Sequence, residues 1–241
     1  MTQRMETLAQ GSGEAGVSLT GEQLDRFETY YRELALWNQR VNLTSIIGYQ
    51  EVQVGHFLDS LTVFLAAPES LSSSSRVADV GAGGGFPGLP LKLAFPGIHL
   101  VLLESAGKKA AFLEHLVSLL GLDGVEVITG RAEDLAHRPG LRESFDLVLA
   151  RGLARLPVLL EYSLPFCRMG GKTVAHKHGG LEEELKSAVR ALETLGGRLV
   201  SEVPVQVTGL TDNRVLVVVE KVAATPDRYP RRAGVPAKRP L

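Results

Sequence analysis

Short apolar runs alternate with amphipathic stretches along the chain from Arg76 onward. The runs predict five strands, at Arg76–Val80, Ile98–Leu103, Val125–Thr129, Phe145–Ala150 and Gly171–His176. The stretches between them have the spacing of helices, at Pro87–Phe95, Gly107–Leu120, Leu156–Met169 and Leu181–Leu195. Strands that alternate with helices in this way form a parallel sheet with helices on both faces.

Two further apolar runs follow without a helix between them, at Arg198–Val207 and Arg214–Lys221. Two strands joined directly predict an antiparallel pair at the edge of the sheet. The pattern therefore predicts an α/β, Rossmann-like fold with a mostly parallel seven-stranded sheet and an antiparallel edge pair.

The first part of the chain has a different pattern. Residues 1–17 are small, polar and glycine-rich, which predicts disorder. Thr20 and Gln23 form a capping box, and apolar residues then recur at helical spacing, with Trp37 expected in the core. A second helical stretch spans Gln50 to Ala66. We therefore expect a helical cap over residues 18–75, an α/β domain over 76–225 and a basic tail over 226–241.

Charge and cysteine content narrow the class of protein. Cys167 is the only cysteine, so an intrachain disulfide is impossible and a reducing, cytoplasmic location is expected. The chain has no apolar run of about 18 residues, so we expect no membrane span. The net charge of −1 conceals an acidic segment at 1–75 and a basic one at 221–241. A basic tail can bind a phosphate-bearing partner or simply be solvated.

The most informative motif is the glycine-rich segment from Val77 to Gly88, which joins the first strand to the first helix of the sheet. Glycines allow a backbone to approach a ligand closely, and the free N–H groups of a helix start face that ligand. A P-loop is excluded, since the only Gly-Lys-Thr, at Gly171, opens a strand and lacks the first glycine. A dinucleotide fits the spacing of Gly83, Gly85 and Gly88, with Glu104 as a ribose acceptor.

Three features favour S-adenosylmethionine over a dinucleotide. Asp79 precedes the turn, where a carboxylate can lie near a cationic amino-acid group but would repel a pyrophosphate. The antiparallel edge pair is typical of Rossmann-like methyltransferases. Ala132 and Glu133 follow the third strand, where they can frame an adenine, although acids there also suit a helix N-terminus.

The chain resembles the RsmG (GidB) family of 16S rRNA guanine-N7 methyltransferases from about Leu19 to Leu241. The resemblance rests on the following motifs: Trp37-Asn38 with Val41-Asn42-Leu43-Thr44, His56 to Leu61, Asp79 to Gly88, Lys108-Lys109 with Phe112-Leu113, and Tyr229-Pro230-Arg231-Arg232 with Gly234, Pro236, Lys238 and Pro240-Leu241. The chain departs from the pattern at Gly55 and at His176 to Gly179, both near the expected RNA face.

The resemblance implies a class I methyltransferase that transfers a methyl group from S-adenosylmethionine to guanine 527 in the 530-loop region of 16S rRNA. The partner would be 16S rRNA or the small ribosomal subunit, and the protein is expected to be a monomer without a metal. The glycine-rich segment and the resemblance together predict the following cofactor contacts: Asp79, Gly81, Gly83, Phe86, Glu104, Ser105, Ala132, Glu133 and Arg151.

The chemistry of guanine N7 needs little from the protein, because N7 has a lone pair and no proton to remove. Alignment of the reactants can supply most of the acceleration. Arg151 is the predicted catalytic residue, because a guanidinium can donate to guanine O6 or to a phosphate. A surface position, or an ion pair with Glu133 or Asp134, is the alternative for Arg151.

Basic residues supply the predicted RNA contacts: Lys108, Arg155, Arg228, Arg231, Arg232, Lys238 and Arg239, with Tyr229 stacking on a base or packing on the sheet.

Cys167 is expected on a helix as a buried small residue. His176 and His178 have a spacing that suits a metal, but no further ligand cluster accompanies them. His56 and Asp59 lie one helical turn apart and are expected to be hydrogen-bonding partners.

Two other functions remain open at this point. An NAD-dependent oxidoreductase would share the glycine-rich turn, but the chain lacks a nameable His or Tyr/Lys set to handle hydride. A non-catalytic RNA-binding assembly factor would keep a cofactor pocket without turnover.

Overall fold

A seven-stranded sheet forms the centre of the protein, which is described by a computed structural model over residues 5–241. Its strands are β1 (Arg76–Val80), β2 (His99–Glu104), β3 (Val125–Thr129), β4 (Phe145–Arg151), β5 (Cys167–His178), β6 (Gly197–Pro204) and β7 (Arg214–Lys221). The strand order is β3-β2-β1-β4-β5-β7-β6. Strands β1 to β5 pair in parallel, whereas β7 is antiparallel to both β5 and β6. The predicted sheet and its antiparallel edge pair are confirmed.

Helices precede the sheet and cover both of its faces. They are α1 (Glu6–Glu14), α2 (Gly21–Asn38), α3 (Tyr49–Val52), a π-helical segment (Gln53–Leu58), α4 (Asp59–Leu61), α5 (Val63–Ala66), a 3₁₀ turn (Pro68–Leu71), α6 (Gly88–Ala94), α7 (Gly107–Leu119), α8 (Ala132–Leu135), α9 (Leu156–Ser163), α10 (Leu181–Leu195) and α11 (Val235–Lys238). Over residues 5–241, no helix is both long enough and apolar enough to cross a membrane.

Alternation along the strands places the cap on one face of the sheet. Val77 joins an apolar cluster that contains Phe27 and Phe57 of the cap, together with residues of α6 and α7. Its neighbour Ala78 joins a separate cluster on the opposite face, as does Val80. This period of two is the pattern of a strand that is buried on both sides.

The predicted disorder of residues 1–17 is wrong for helix α1, although residues 1–4 lie outside the described part of the chain. Leu8 is fully buried, and its N–H donates to Gln53 Oε1 at 3.2 Å. A Cβ built at Gly11 would lie only 2.4 Å from Leu58 Cδ2. The small residues that suggested disorder therefore allow close packing of α1 on the cap.

Two predicted helices have different bounds in the structure. Helix α9 ends at Ser163 rather than Met169, because Pro165 cannot continue a helix and disfavours helical backbone at the preceding residue. Cys167 consequently begins strand β5, where burial raises the pKa of its thiol to about 12. The stretch predicted as one helix over Gln50–Ala66 is divided by the π-helical segment.

Candidate active site

A cleft opens at the carboxyl ends of β1 to β4, where open α/β sheets bind their ligands. We call it the cofactor cleft, and it is lined by Val80, Gly81, Leu103, Ser105, Gly130, Arg131, Ala132, Glu133, Leu153 and Tyr162. Four of the predicted cofactor contacts, Gly81, Ser105, Ala132 and Glu133, are thus brought together from three different loops.

Gly81 forms the floor of the cofactor cleft. Its φ is +74°, in the left-handed region, and a Cβ there would lie 2.7 Å from Leu153 Cδ1. A side chain at this position would be strained and would also fill the space between β1 and the loop after β4. The glycine keeps this part of the cleft open.

Glu104 ends β2 beside the cofactor cleft and is nearly buried. Its Oε2 accepts the N–H of Gly83 at 2.8 Å, and its Oε1 accepts the N–H of Ala106 at 2.7 Å. A carboxylate has about four acceptor sites, so two backbone bonds leave capacity for the hydroxyls of a ribose. Gly83 therefore orients this carboxylate.

Glu133 forms the far wall of the cofactor cleft at the start of α8. Its Oε1 accepts the N–H of Gly234 at 3.0 Å, so the C-terminal segment holds this wall. The apolar side chains of Leu103, Ala132 and Leu153 complete the space. A glycine floor, a ribose-binding carboxylate and apolar walls fit S-adenosylmethionine.

Asp79 is not among the residues that line the cofactor cleft, and its contact with the cofactor stays a prediction. Asp79 is fully buried, and its Oδ2 accepts the N–H of Gly88 at 2.8 Å. Its Oδ1 has no hydrogen-bond partner within residues 5–241. Burial raises the pKa of this carboxyl to about 7. One oxygen of Asp79 therefore holds the start of α6.

The ring of Phe86 packs against residues of the cap. It stacks on His56 with ring centroids 4.3 Å apart and on Tyr30 at 5.5 Å, and it is almost fully buried. This ring fastens the glycine-rich loop to the cap. The Phe86 side chain is therefore a packing element and does not line the cofactor cleft.

Arg151 ends β4 and belongs to a group of buried polar residues between the cap and the sheet. We call it the cap–sheet cluster: His56, Asp59, Arg151, His176 and Arg214. The Arg151 guanidinium lies 3.0 Å from Asp59 Oδ2 and donates to the Gly55 carbonyl at 2.8 Å. The predicted ion pair with Glu133 or Asp134 is absent from the described ion pairs, and Asp59 takes that role.

Asp59 connects strands β4 and β7, because one carboxylate oxygen pairs with Arg151 of β4 and the other pairs with Arg214 of β7. His56 and Asp59 both contact Arg151, although no hydrogen bond between these two side chains is found among residues 5–241. Burial, reinforced by Arg151, lowers the pKa of His56 to about 4. The His56 ring is therefore neutral at pH 7, and its Nδ1 lies 2.7 Å from Arg151 Nη2 and 3.0 Å from the Gly55 carbonyl oxygen.

A second pocket of about 480 Å³ lies beside the cofactor cleft, over the carboxyl ends of β4 and β5 and the start of β7. We call it the acceptor-side pocket, and its walls are Ile46, Gly55, Asp59, Arg151, Gly152, Ala154, His176, Lys177, His178, Asp212 and Arg214. The sequence analysis missed Arg214. Its place at the start of the last strand offered no signal, because the pairing of β7 with β5 brings it to Asp59.

The predicted RNA contacts fall into two groups in the structure. The exposed ones are Lys108, Arg155, Arg228, Arg232, Lys238 and Arg239. Arg231 instead forms a bidentate ion pair with the fully buried Glu161, at distances of 2.6 and 2.9 Å. Tyr229 is buried in the cluster of α9, α10 and β7 residues, so its ring offers no face for stacking on a base.

Comparisons with known proteins agree with the site. The family model for GidB, rRNA small subunit methyltransferase G, matches residues 23–213. Ribosomal RNA small subunit methyltransferase G of Dehalococcoides mccartyi is 48% identical over 98% of this chain and 100% of its own length. The protein of the same name from Moorella thermoacetica is 46% identical over the full length of both chains.

Solved structures share the fold at low sequence identity. A point mutant of MtNAS in complex with S-adenosylmethionine has a TM-score of 0.55 at 18% identity, over 84% of this chain and 78% of that one. The Methanococcus jannaschii fibrillarin pre-rRNA processing protein has a TM-score of 0.51 at 16% identity, over 64% and 70% of the two chains.

The family match confirms the resemblance seen in the motifs, together with the class I methyltransferase fold and S-adenosylmethionine as cofactor. The chain therefore belongs to the rRNA small subunit methyltransferase G family.

Proposed function

We propose that this protein transfers a methyl group from S-adenosylmethionine to N7 of a single guanine in the small-subunit rRNA, guanine 527 of the 530-loop region. The observation that supports this most is the adjacency of the cofactor cleft and the acceptor-side pocket. The segment from Arg151 to Leu153 separates them and contributes residues to both.

The cofactor cleft supplies the donor half of the reaction. Glu104 would bind the ribose hydroxyls, and Gly81, Ser105, Ala132 and Glu133 would surround the rest of the nucleoside. S-adenosylmethionine supplies a methyl group already activated by its sulfonium, so the protein has mainly to position it.

The acceptor-side pocket supplies the other half. Its arginines are held by Asp59 and by backbone carbonyls, so they are fixed before RNA arrives. The contacts of Arg151 within the described residues use its Nη1 and Nη2 atoms, which leaves Nε available to guanine O6 or a phosphate. No general base is needed, since N7 carries no proton.

The test is methyl transfer from labelled S-adenosylmethionine to deproteinised 16S rRNA and to intact small subunits from cells lacking the enzyme. N7-methylguanine is mapped by reductive strand scission. We expect one modified guanine in the 530 loop. Cofactor binding without transfer to either substrate would favour the non-catalytic assembly factor, and modification at another atom would overturn the N7 assignment.

A further inference from the structure

A short loop between β4 and α9 separates the cofactor cleft from the acceptor-side pocket, and we call residues 152–155 the dividing loop. Leu153 of this loop lines the cofactor cleft, whereas Gly152 and Ala154 line the acceptor-side pocket. A displacement of the loop would therefore change both pockets and the distance between them. Transfer of a methyl group needs the donor and the acceptor in line, and a misplacement of ~1 Å can lower a rate about 100-fold.

Lys177 of β5 holds the second half of the dividing loop. Its Nζ donates to the backbone carbonyl of Ala154 at 2.8 Å and to Glu184 Oε1 at 2.6 Å. Hydrogen bonds from a charged group are stronger than those between neutral groups. The Lys177 and Glu184 side chains are only 11% and 19% exposed, so salt and water weaken their pairing little.

Glu184 of α10 holds the end of the same loop. The first N–H groups of a helix have no partner inside the helix, and Arg155, the N-cap residue of α9, supplies no side-chain cap within residues 5–241. Glu184 Oε1 instead accepts the N–H of Leu156, the first residue of α9. A negative charge is also favourable at a helix start. One carboxylate oxygen thus joins β5, α10 and the dividing loop.

We propose that Lys177 and Glu184 are positioning residues, which hold the dividing loop and through it the alignment of the methyl donor with the acceptor base. This inference rests on the proposed function, which places the base in the acceptor-side pocket. Lys177 lies in the stretch where the chain departs from the family pattern, so we assign this clamp to this chain and not to the family.

Three variants and a control separate positioning from a contribution to folding alone. K177M removes the ammonium group, and E184A removes its partner from the other side. E184Q removes the charge but keeps an acceptor oxygen for Leu156 and Lys177. K186M is the matched control, because Lys186 forms exposed ion pairs on the same helix, with Glu182 and Glu183. Thermal melts show which variants are folded at the assay temperature.

The main measurement is the single-turnover rate of methyl transfer to small subunits, with both substrates saturating. We expect K177M and E184A to lower this rate roughly 10- to 100-fold, because the loop that sets the alignment is released. The loss in E184Q should be less than about fivefold, and K186M should stay within about twofold of the natural protein. Isothermal titration should show little change in S-adenosylmethionine affinity, since binding tolerates a small displacement that the reaction does not.

A double variant and hydrogen exchange test the clamp as one unit. K177M/E184A should be no slower than the slower single variant, because both changes release the same loop. Exchange of the Leu156 amide, measured by mass spectrometry, should be faster in K177M and in E184A than in the natural protein.

A K177M or E184A rate equal to that of the natural protein would overturn the proposal. Losses that multiply in the double variant, or a loss confined to cofactor affinity, would overturn it as well. Product mapping keeps the two proposals apart: methylation by the natural protein at an atom other than guanine N7 overturns the proposed function, whereas the ratios of the variant rates still decide the role of the clamp.

Discussion

At the scale of single residues, Glu104 is the residue proposed to bind the ribose of the cofactor. A glutamine there would keep one acceptor oxygen but would set an NH₂ group against a backbone N–H. We expect E104Q to weaken S-adenosylmethionine binding about 10- to 100-fold, because hydrogen bonds to a charged group contribute ~1.5–3 kcal/mol. Isothermal titration measures the change, with D134N as control, since Asp134 is exposed on α8 outside the cofactor cleft. If E104Q and the natural protein bind S-adenosylmethionine with equal affinity, Glu104 does not bind the cofactor.

Asp79 gives a prediction about pH. Its folded-state pKa of about 7 lies above the ordinary value of 3.8, so the folded protein binds the additional proton between these values. The associated stability is present below pH 3.8 and is lost as the pH rises through 7. D79N does not titrate and should gain stability relative to the natural protein between pH 5 and 8, by at most about 4 kcal/mol.

Urea unfolding at several pH values measures this difference in stability. D134N is the control, and its difference in unfolding free energy from the natural protein should not vary with pH. Parallel pH profiles for D79N and the natural protein would contradict the raised pKa.

The same residue shows what sequence alone could provide. The strand–turn pattern indicated that Glu104 and Gly81 lie at the ends of neighbouring strands, but an acid before the turn can face either the ligand or the first turn of α6. Only packing decides that orientation.

At the scale of elements, helix α1 is the main addition to the predicted fold. Its one large buried side chain beyond Met5 is Leu8. We expect L8A to lower the free energy of unfolding by about 2–5 kcal/mol through loss of burial and creation of a cavity. Q10A, on the exposed side of the same helix, should change it by less than about 0.5 kcal/mol. Similar values for both variants, measured by urea unfolding, would mean that α1 is undocked in solution.

Element boundaries were predictable only where a residue type enforces them. Pro165 could have indicated the end of α9, and the capping box at Thr20 and Gln23 did indicate the start of α2. The π-helical segment had no such marker. Within this segment the Gly55 carbonyl accepts a hydrogen bond from Arg151 of β4. The contact that accompanies this backbone therefore comes from a strand that is distant in sequence.

At the scale of the whole molecule, the C-terminal segment is fastened to helix α9 through the ion pair of Arg231 with Glu161. Removal of its charge would leave the buried carboxylate of Glu161 without a cation. We expect R231M to lower the free energy of unfolding by about 3–5 kcal/mol, the usual cost of breaking a buried pair. R232M, at the exposed neighbouring position, should be nearly neutral in the same urea titration. A neutral R231M would show that the ion pair is not formed.

We predict that the exposed cations of this segment contact RNA. Neutralising Arg232, Lys238 and Arg239 to glutamine should reduce the slope of log K against log salt by about 2 for a single-stranded target, since each phosphate contact contributes about 0.7. Filter binding to 16S rRNA measures the slope. The matched control neutralises three exposed cations of α10 and β6, Lys186, Arg190 and Arg198. Equal slopes for the two triple variants would exclude the segment from the RNA interface.

The architecture of the sheet and the family followed from local motifs, but the acceptor-side pocket did not. Its walls come from the cap, β4, β5 and β7, and no local pattern shows that β7 inserts between β5 and β6. The departure at His176 was visible in the sequence as an unexpected residue, but its contact with the Asp59 carbonyl required the folded chain.

The hydrogen bond from the Gly234 N–H to Glu133 joins the C-terminal segment to the cofactor cleft, and we predict that it couples the binding of cofactor and RNA. The same short segment carries the exposed cations expected to meet RNA and holds one wall of the cofactor cleft in place. RNA that orders this segment also orders that wall, so RNA should raise the affinity for S-adenosylmethionine. By thermodynamic reciprocity, the cofactor should raise the affinity for RNA by the same factor. The wall of the cofactor cleft and the C-terminal segment would then be most stable when both substrates are bound.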